Sequence, residues 1–380
     1  MSNGSGTRTR PKPWLSRESR KTSVNGERGA GVVSLHPHRA TSTLFSNFLL
    51  VPAELARAIK EKGHENLTAV ITPRQAQRAD DQGRRSIDIP VGRMTDKIAL
   101  PARAFAELGY RPGDPMQFRY DGERLEIATV TTSLAEQIET CEIDDAGVRI
   151  PPGWLVQAFT GAPDTVHHIE SGIQSAEYYV DQYNRHGGGF DDVERVLDFG
   201  CGCGRVLSRM PAKEGIDYVG VDLREDALQW LRATLPHGTF VAGTEMPPLD
   251  LQSGSVDLIY SVSVLTHLDR ERERAWLDEW FRLARPGGIV ISTFRGEDWV
   301  EQFTLENQRR AIQQAWSANN GFCYQKHRYW EGIFPAFYSG TYQTEDYVRA
   351  NWGKHFEILD IRPPAETPNE QNTAIMRKPA

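Results

Sequence analysis

The sequence predicts an α/β protein whose larger part is a doubly wound, mostly parallel sheet. From about residue 190 onward, short apolar segments alternate with amphipathic ones, the pattern of parallel strands covered by helices on both faces. The first apolar segment, VERVLDFG, runs directly into Gly200, Gly202 and Gly204. Because ligands of such sheets bind at the carboxyl ends of the strands, we expect a ligand site at this loop.

The alternation continues along the rest of the region. Helices are expected in RVLSRM, EDALQWLRATL and RERERAWLDEWFRLA. Strands are expected in IDYVGVDL, GTFVAG, SVDLIYSVS and GGIVISTF. These elements place the main domain at residues 190–380.

The part of the chain before the main domain divides into three predicted segments. Residues 1–40 are rich in Ser, Thr, Gly, Arg and Pro, and we expect a disordered basic tail there. Residues 41–130 predict a small α+β or barrel-like domain of short strands and helices. Residues 131–189 predict a helical connector that caps the main domain, with one helix after Pro152 and another that ends at three glycines.

Composition limits the classes of function. The formal net charge is −7, but residues 1–40 carry eight Lys and Arg against two acids, so the remaining body is near −13. A body this acidic repels phosphate backbones, which argues against nucleic acid as the main substrate. Four scattered cysteines form no disulfide framework, and neither a membrane span nor a secretory leader is apparent. We therefore expect a cytoplasmic protein.

The small domain contains two similar units. Residues 97–127 predict a strand, a short helix, a Pro-Gly turn and a hairpin, and residues 49–71 are a looser copy. This order resembles the swapped-hairpin barrel of AbrB-like regulators, in which basic residues grip DNA. Residues 80–126 carry eight basic and nine acidic side chains, so that basic surface is missing. The resemblance therefore implies a structural or dimerising domain and a homodimer through it.

The glycine loop indicates which ligand binds. Its spacing is not the G-x-G-x-x-G of dinucleotide enzymes, and no Gly-Lys-Ser/Thr of a P-loop follows. The next strand ends in Asp222, eighteen residues beyond Gly204, where a carboxylate can accept both hydroxyls of a ribose. We expect the loop to meet a helix N-terminus. A loop without phosphate-binding residues and a ribose-binding acid together indicate a nucleoside without phosphate.

Four blocks carry a second resemblance. VLDFGCGCGR, YVGVDL, SVDLIYSVSVLTHL and LARPGGIVISTF, in this order, are similar to the class I S-adenosylmethionine-dependent methyltransferases. The match covers roughly residues 190–380. It implies a Rossmann-like sheet in which HFEILDIRP and NTAIMRKP form a terminal antiparallel hairpin, with S-adenosylmethionine as cofactor. It also implies an insertion over the acceptor site at residues 299–347.

The resemblance assigns cofactor-binding roles position by position. Asp198 orients the methionine part, Asp222 binds the ribose, and Leu223 packs on the adenine. The remaining assigned residues line the methionine part along the loop or close that side: Gly200, Cys201, Gly202, Gly204, Ser261 and Val262. An acidic residue usually holds the adenine amino group, but the segment GTEMPPL offers both Thr244 and Glu245. No metal site is expected, because no second Cys or His cluster accompanies Cys201 and Cys203.

His267 is the candidate catalytic base. It follows the fourth strand, at the edge where the resemblance places the transferable methyl group, and an imidazole can take a proton near neutral pH. The alternative is a histidine that packs or caps the next helix. Glu170 and Tyr178 of the connector are weaker candidates. A base is needed only if the acceptor carries a proton.

These observations together predict a methyltransferase with a small-molecule acceptor, oxygen being favoured over nitrogen. The aromatic insertion indicates a pocket for a small molecule, the alternative being that its rings form the core of the insertion itself. Its aromatic residues include Trp316, Phe322, Tyr324, Tyr329, Trp330, Phe334, Phe337, Tyr338 and Tyr342. Two alternatives remain open: a DNA-associated regulator that senses the methyl donor, and a protein-directed methyltransferase recruited through the small domain.

Overall fold

A computed structural model describes residues 39–44, 48–62, 66–72, 74, 85–90, 98–121 and 124–380. The predicted tail, residues 1–40, lies outside this part of the chain except for its last two residues. Those two residues belong to the first strand that the structure describes.

The small domain contains seven strands and two helices within the described residues. They are β1 (Arg39–Thr43), β2 (Phe48–Val51), α1 (Ala53–Glu61), β3 (Asn66–Ile71), β4 (Arg85–Pro90), β5 (Ile98–Pro101), α2 (Arg103–Ala106), β6 (Pro115–Tyr120) and β7 (Arg124–Thr129). Five strands form a sheet in the order β1-β6-β7-β3-β4, and β2 pairs with β5. The two predicted copies interlock, because β2 and β5 are their first strands and run antiparallel, with Leu49 opposite Leu100.

Three helices connect this domain to the main one. They are α3 (Leu134–Thr140), α4 (Gly153–Thr160) and α5 (Thr165–His186). Local sequence sets their limits: Ser133 and Glu136 form a capping box on α3, and Asp164 caps α5. Helix α4 follows Pro152 and ends at Gly161, which has a left-handed backbone.

The main domain is a seven-stranded sheet. Its strands are β8 (Arg195–Phe199), β9 (Asp217–Asp222), β10 (Gly238–Ala242), β11 (Val256–Ser261), β12 (Ala284–Phe294), β15 (Glu357–Arg362) and β16 (Asn372–Arg377). They lie in the order β10-β9-β8-β11-β12-β16-β15. The first five are parallel, whereas β16 runs antiparallel to both β12 and β15. The predicted terminal hairpin is therefore present.

Helices cover both faces of this sheet. Helices α6 (Glu225–Thr234) and α7 (Arg270–Leu283) follow β9 and β11. On one face, Phe199 of β8 packs against Trp276 and Trp280 of α7, with ring centroids 4.6 and 5.2 Å apart. On the other, Tyr179 of α5 stacks on Tyr260 of β11 at 4.8 Å. The carboxyl ends of β8, β9, β11 and β12 therefore meet at one edge above a well-packed core.

One predicted helix is absent. After the glycine loop, RVLSRM forms turns and a single 3₁₀ turn at Leu207–Arg209 instead of an α-helix. Pro211 explains the difference, because it disfavours helical backbone in the preceding residue and cannot continue a helix. The expectation that the loop meets a helix N-terminus is wrong.

The insertion follows β12. It contains α8 (Glu297–Phe303), α9 (Glu306–Ala318), β13 (Phe322–Gln325), β14 (Gly340–Gln343) and α10 (Glu345–Asn351). Strands β13 and β14 pair antiparallel. In the described residues, no helix has both the length and the apolar character needed to cross a bilayer.

Candidate functional site

The glycine loop has a backbone that side chains disfavour. Gly200, Gly202 and Gly204 have φ angles of +83°, +53° and +85°. A Cβ atom on Gly200 would lie 2.2 Å from Val264 Cγ2, and one on Gly204 would lie 2.5 Å from Leu231 Cδ2. A Cβ atom on Gly202 would lie 3.0 Å from the ring of Phe159. The glycines therefore allow close packing of covering elements as well as the sharp turn.

Asp222 holds the loop from the next strand. One carboxylate oxygen accepts a hydrogen bond from the amide of Gly202 at 2.8 Å, and the other accepts from the amide of Arg224 at 2.9 Å. The side chain is buried, and this burial raises the pKa of Asp222 to about 6. Each oxygen keeps a lone pair for a further donor, which suits a ribose diol.

Asp198 lies in β8, beside the start of the loop. It accepts a hydrogen bond from the hydroxyl of Tyr260 at 3.0 Å, and burial raises its pKa to about 7. The hydrogen bond from Tyr260 and the charge of the half-buried Arg205 partly offset that rise. Arg205 is fixed in turn by Ser175 of α5 and by Asn369, the latter at 2.9 Å. The two aspartates thus place buried acceptors on neighbouring strands.

The other predicted cofactor residues differ in their surroundings. The Ser261 side chain is buried and its hydroxyl has no hydrogen-bond partner, so it is available to a ligand. Val262 packs into the core beneath the sheet edge. Leu223 is 36% exposed, as an adenine-stacking residue needs to be before binding. Thr244 bonds to the carbonyl of Met246, whereas the exposed Glu245 pairs with Arg272 at 3.2 Å.

The cysteines are surrounded by apolar groups. Cys201 and Cys203 are buried in the cluster that contains Trp230 and Leu231. Burial raises the pKa of Cys203 to about 12 and that of Cys201 well above its usual value, so both thiols stay protonated. In the part of the chain that the structure describes, no three His, Cys, Asp or Glu side chains form a group suited to a metal ion.

His267 has both ring nitrogens engaged. It lies in the 3₁₀ turn Leu265–His267 and is 4% exposed. Its Nδ1 is 2.6 Å from the carbonyl oxygen of Ser339, and its Nε2 is 3.2 Å from the Arg295 guanidinium. Nδ1 therefore carries the proton and Nε2 accepts. Burial, then the Arg295 charge, holds the pKa of His267 well below its ordinary value.

Aromatic rings join the connector to the insertion beside the glycine loop. Phe159 of α4 contacts Phe334 at 5.8 Å, Phe334 stacks on Tyr338 at 4.3 Å, and Tyr338 stacks on His267 at 4.1 Å. Trp330 packs edge-on against both Phe334 and Tyr338. We call Phe159, Phe334, Tyr338 and His267 the aromatic stack.

The weaker base candidates lie elsewhere on α5. Glu170 is exposed to solvent. Tyr178 is half-buried with a shielded, unpartnered hydroxyl, and burial raises its pKa to about 12. Its ring packs against Tyr179 at 5.6 Å, in the cluster beneath the sheet. Neither residue contacts the aromatic stack in the contacts described.

Comparison with known proteins gives the chemical class of this region. Residues 196–288, which contain the glycine loop, Asp222, Ser261 and His267, match the model of a methyltransferase domain family. The matched segment is therefore similar to methyltransferase domains, in line with S-adenosylmethionine, the cofactor that the sequence predicts.

Individual relatives match only part of the chain. An uncharacterized methyltransferase of Mycobacterium tuberculosis is 38% identical over 29% of this chain and 45% of its own length. A ubiquinone biosynthesis O-methyltransferase of Pectobacterium atrosepticum is 31% identical over 26% of this chain and 41% of its own length. The chain thus spans about half the length, or less, of the curated relatives it matches.

A solved structure was also matched. It is the 1,6-didemethyltoxoflavin-N1-methyltransferase of Burkholderia thailandensis, with S-adenosylhomocysteine bound. It is 16% identical, the match covers 59% of this chain and 85% of that one, and the TM-score is 0.40.

The residues at the site fit this cofactor. Asp222 and Asp198 offer buried acceptors, which suit ribose hydroxyls and an ammonium group, and Ser261 offers an unpartnered hydroxyl. Sequence reasoning missed three residues here: Phe159, Arg205 and Arg295. Arg205 directly follows the last glycine, a position that signals proximity to the loop. Neither Phe159 nor Arg295 belongs to a recognisable motif, because only tertiary packing brings them to the site.

Proposed function

We propose that this chain is an S-adenosylmethionine-dependent methyltransferase whose acceptor is a small molecule, with oxygen favoured over nitrogen. The observation that carries the proposal is the joint arrangement of the positive-φ glycine loop and Asp222 within a matched methyltransferase domain. The proposed cofactor contacts are Asp198, Gly200, Cys201, Gly202, Gly204, Asp222, Leu223, Ser261 and Val262, with Thr244 or Glu245 at the adenine.

Methyl transfer from this cofactor requires no covalent bond between the protein and the methyl group. The cofactor supplies a methyl group on a sulfonium, which is already an excellent leaving group. The chain's own residues then position the acceptor in line and exclude water. We propose the aromatic stack and Trp330 as the wall that excludes water. If the acceptor is a hydroxyl with its proton, His267 is the proposed base, and Nε2 must then exchange Arg295 for the acceptor.

For the small domain we propose an AbrB-like, structural or dimerising role. The interlocked copies and the antiparallel pairing of β2 with β5 support this proposal. The domain also contacts the connector directly: the Thr43 hydroxyl donates to the Trp154 carbonyl at 2.7 Å, and the Thr43 amide donates to Gln157 at 2.7 Å. These contacts favour a small domain that supports the connector helices over one that recognises a separate macromolecule.

The acceptor proposal is tested by finding which class of molecule receives a labelled methyl group. The full chain is incubated with methyl-labelled S-adenosylmethionine and with separated small-molecule, protein and nucleic-acid fractions of a cell extract. We expect label in the small-molecule fraction. Label in the protein fraction would favour the protein-directed alternative. Label in nucleic acid, or a salt-dependent DNA shift without methyl transfer, would favour the DNA-associated one.

A further inference from the structure

Among the described residues, Arg295 is a cation without a paired anion. It directly follows β12, at the same sheet edge as the glycine loop. Its guanidinium donates to the Thr266 carbonyl at 3.1 Å and to His267 Nε2 at 3.2 Å, and its Nε is shielded without a partner. Across the residues that the structure describes, no carboxylate forms an ion pair with it.

Two acidic side chains, on α7 and α8, are engaged by other residues. The Glu297 carboxylate accepts the amide of Glu345, at 3.0 Å from the nearer oxygen. The buried Glu273 carboxylate accepts from Tyr347 at 2.9 Å and from Trp352 at 3.2 Å. Arg295 is half-buried, and shielding part of a guanidinium from water without a counter-ion is costly in a chain whose body has acids in excess. The lack of a carboxylate paired with Arg295 among the described residues is therefore best explained by a function.

The surroundings of the guanidinium are flat and aromatic. Its carbon lies 5.1 Å from the ring centre of Trp299 and 5.6 Å from that of Tyr342. His267, which Arg295 holds, is the end of the aromatic stack. A planar group could lie along such rings while an oxygen reaches the guanidinium, a geometry that arginine binds well.

The order of the strands says which ligand lies nearest to Arg295. On the proposed function, the cofactor runs from Asp222 on β9 to Asp198 on β8 and Ser261 on β11. Strand β12 is the next along the sheet, so its end lies beyond the methionine part. The carboxylates thus line the cofactor half of the edge, and the unpaired cation lies in the other half.

We propose that Arg295 binds an anionic oxygen group of the methyl acceptor, a carboxylate or a phenolate on a planar ring. The inference rests on the proposed function and narrows the acceptor class. A guanidinium beside a phenol also favours its ionised form, which removes the need for a base. His267, with Nδ1 held by Ser339, is then a positioning residue for Arg295.

Binding of benzoate and of benzamide tests the proposal. The two probes share a shape, but only benzoate is charged. Each is titrated calorimetrically into the full chain at neutral pH, with and without saturating S-adenosylhomocysteine. We expect the native chain to bind benzoate about tenfold or more tightly than benzamide, as a charge-assisted bond would require. Equal affinities would overturn the proposal.

Three variants separate the explanations. Arg295→Gln should remove the preference, and Arg295→Lys should keep most of it because the charge remains. Arg270→Gln is the control and should change nothing, since Arg270 also lies over rings, those of Phe322 and Tyr347, but is exposed on the outer side. A preference for benzoate that survives Arg295→Gln would refute the assignment. If that variant does not fold, the Arg295→Lys variant and the benzoate and benzamide affinities of the native chain still test the proposal.

S-Adenosylhomocysteine affinity distinguishes the two sources of a carboxylate. If Arg295 serves the acceptor, Arg295→Gln should change this affinity by less than about threefold. A loss of tenfold or more, with no benzoate preference in the native chain, would assign Arg295 to the methionine carboxylate instead. A native chain that prefers benzoate yet binds no S-adenosylhomocysteine would sink the proposed function and leave the anion site standing.

Discussion

At the scale of single residues, Asp222 and Asp198 combine burial with free hydrogen-bond acceptor capacity, two properties that rarely occur together in a carboxylate. Both carboxylates are buried, which is costly for a charge, yet each keeps acceptor capacity for a ligand. Side chains selected for stability alone would not be expected to retain that arrangement. Their role therefore makes different predictions for binding and for folding.

Replacing Asp222 by alanine should weaken S-adenosylmethionine binding by roughly 2–4 kcal/mol, because two ribose hydroxyls lose a charged acceptor. Asp217→Ala is the matched control: it lies at the opposite end of the same strand and pairs with Arg195. Titration calorimetry on folded samples measures both. Unchanged affinity in Asp222→Ala would show that the ribose is bound elsewhere.

Acidification should separate binding from stability. Burial raises the pKa of Asp198 to about 7 and that of Asp222 to about 6, so both take up protons between about pH 8 and 5. A protonated carboxyl loses acceptor capacity, so cofactor affinity should fall through this range, by up to about tenfold per pH unit for each group below its pKa. Calorimetric affinities across that range measure the effect.

The free energy of unfolding should respond with the opposite sign. For these two groups the folded pKa exceeds the unfolded value of 3.8, so the penalty for burying their charge is present above about pH 7 and disappears towards pH 4. Their contribution thus favours the folded state as pH falls. An affinity for S-adenosylmethionine that does not vary over the same range would contradict the assignment of both aspartates.

His267→Ala distinguishes a base from a residue that only packs. A base predicts that turnover falls by about 10²–10⁴-fold while cofactor affinity barely changes. A packing role predicts a lower free energy of unfolding, since a buried ring with two hydrogen bonds is lost, and near-native turnover per folded molecule. Turnover, affinity and denaturation are measured on one preparation, with the exposed His237→Ala as control.

At the scale of elements, a close backbone contact joins the small domain to the insertion. A Cβ atom on Gly332 would lie 2.3 Å from the carbonyl oxygen of Pro112, and one on Gly113 would lie 2.3 Å from the carbonyl oxygen of Gly332. The same insertion loop carries Trp330 and Phe334 of the aromatic wall. The small domain therefore braces the insertion as well as α4.

A pair of alanine substitutions measures this brace. Gly332 and Gly147 have φ angles of +79° and +78°, but only Gly332 meets another chain segment within 4 Å of an added Cβ atom. Both variants should lose about 1 kcal/mol from the left-handed backbone, and Gly332→Ala should lose at least as much again from the clash. Chemical denaturation compares them. Equal losses would show that the contact does not contribute to stability.

Sequence reasoning succeeded for elements with strong local patterns and failed where tertiary contacts decide. The alternating apolar segments predicted the central strands, and glycine spacing predicted the loop. The helix in RVLSRM was wrong because Pro211 outweighs a short apolar pattern. The engagement of both His267 nitrogens and the lack of a carboxylate beside Arg295 depend on residues far apart in sequence, which no local pattern encodes.

At the scale of the whole molecule, the acidic body and the site fit a cationic cofactor. Acidic side chains exceed basic ones over the chain, and the buried carboxylates of β8 and β9 lie at the predicted ribose and methionine positions. Long-range attraction of this sign favours a sulfonium and disfavours the phosphates of NAD or ATP. The central claim, a site for a nucleoside without phosphate, is therefore also an electrostatic one.

Calorimetric titration of the full chain with S-adenosylmethionine, NAD and ATP tests that claim most directly. We expect S-adenosylmethionine to bind at least about a hundredfold more tightly than either phosphate-bearing ligand, a difference of roughly 3 kcal/mol. The same experiment on Asp222→Ala should weaken S-adenosylmethionine binding, because the ribose diol loses its charged acceptor. Tighter binding of NAD or ATP by the native chain would contradict the account.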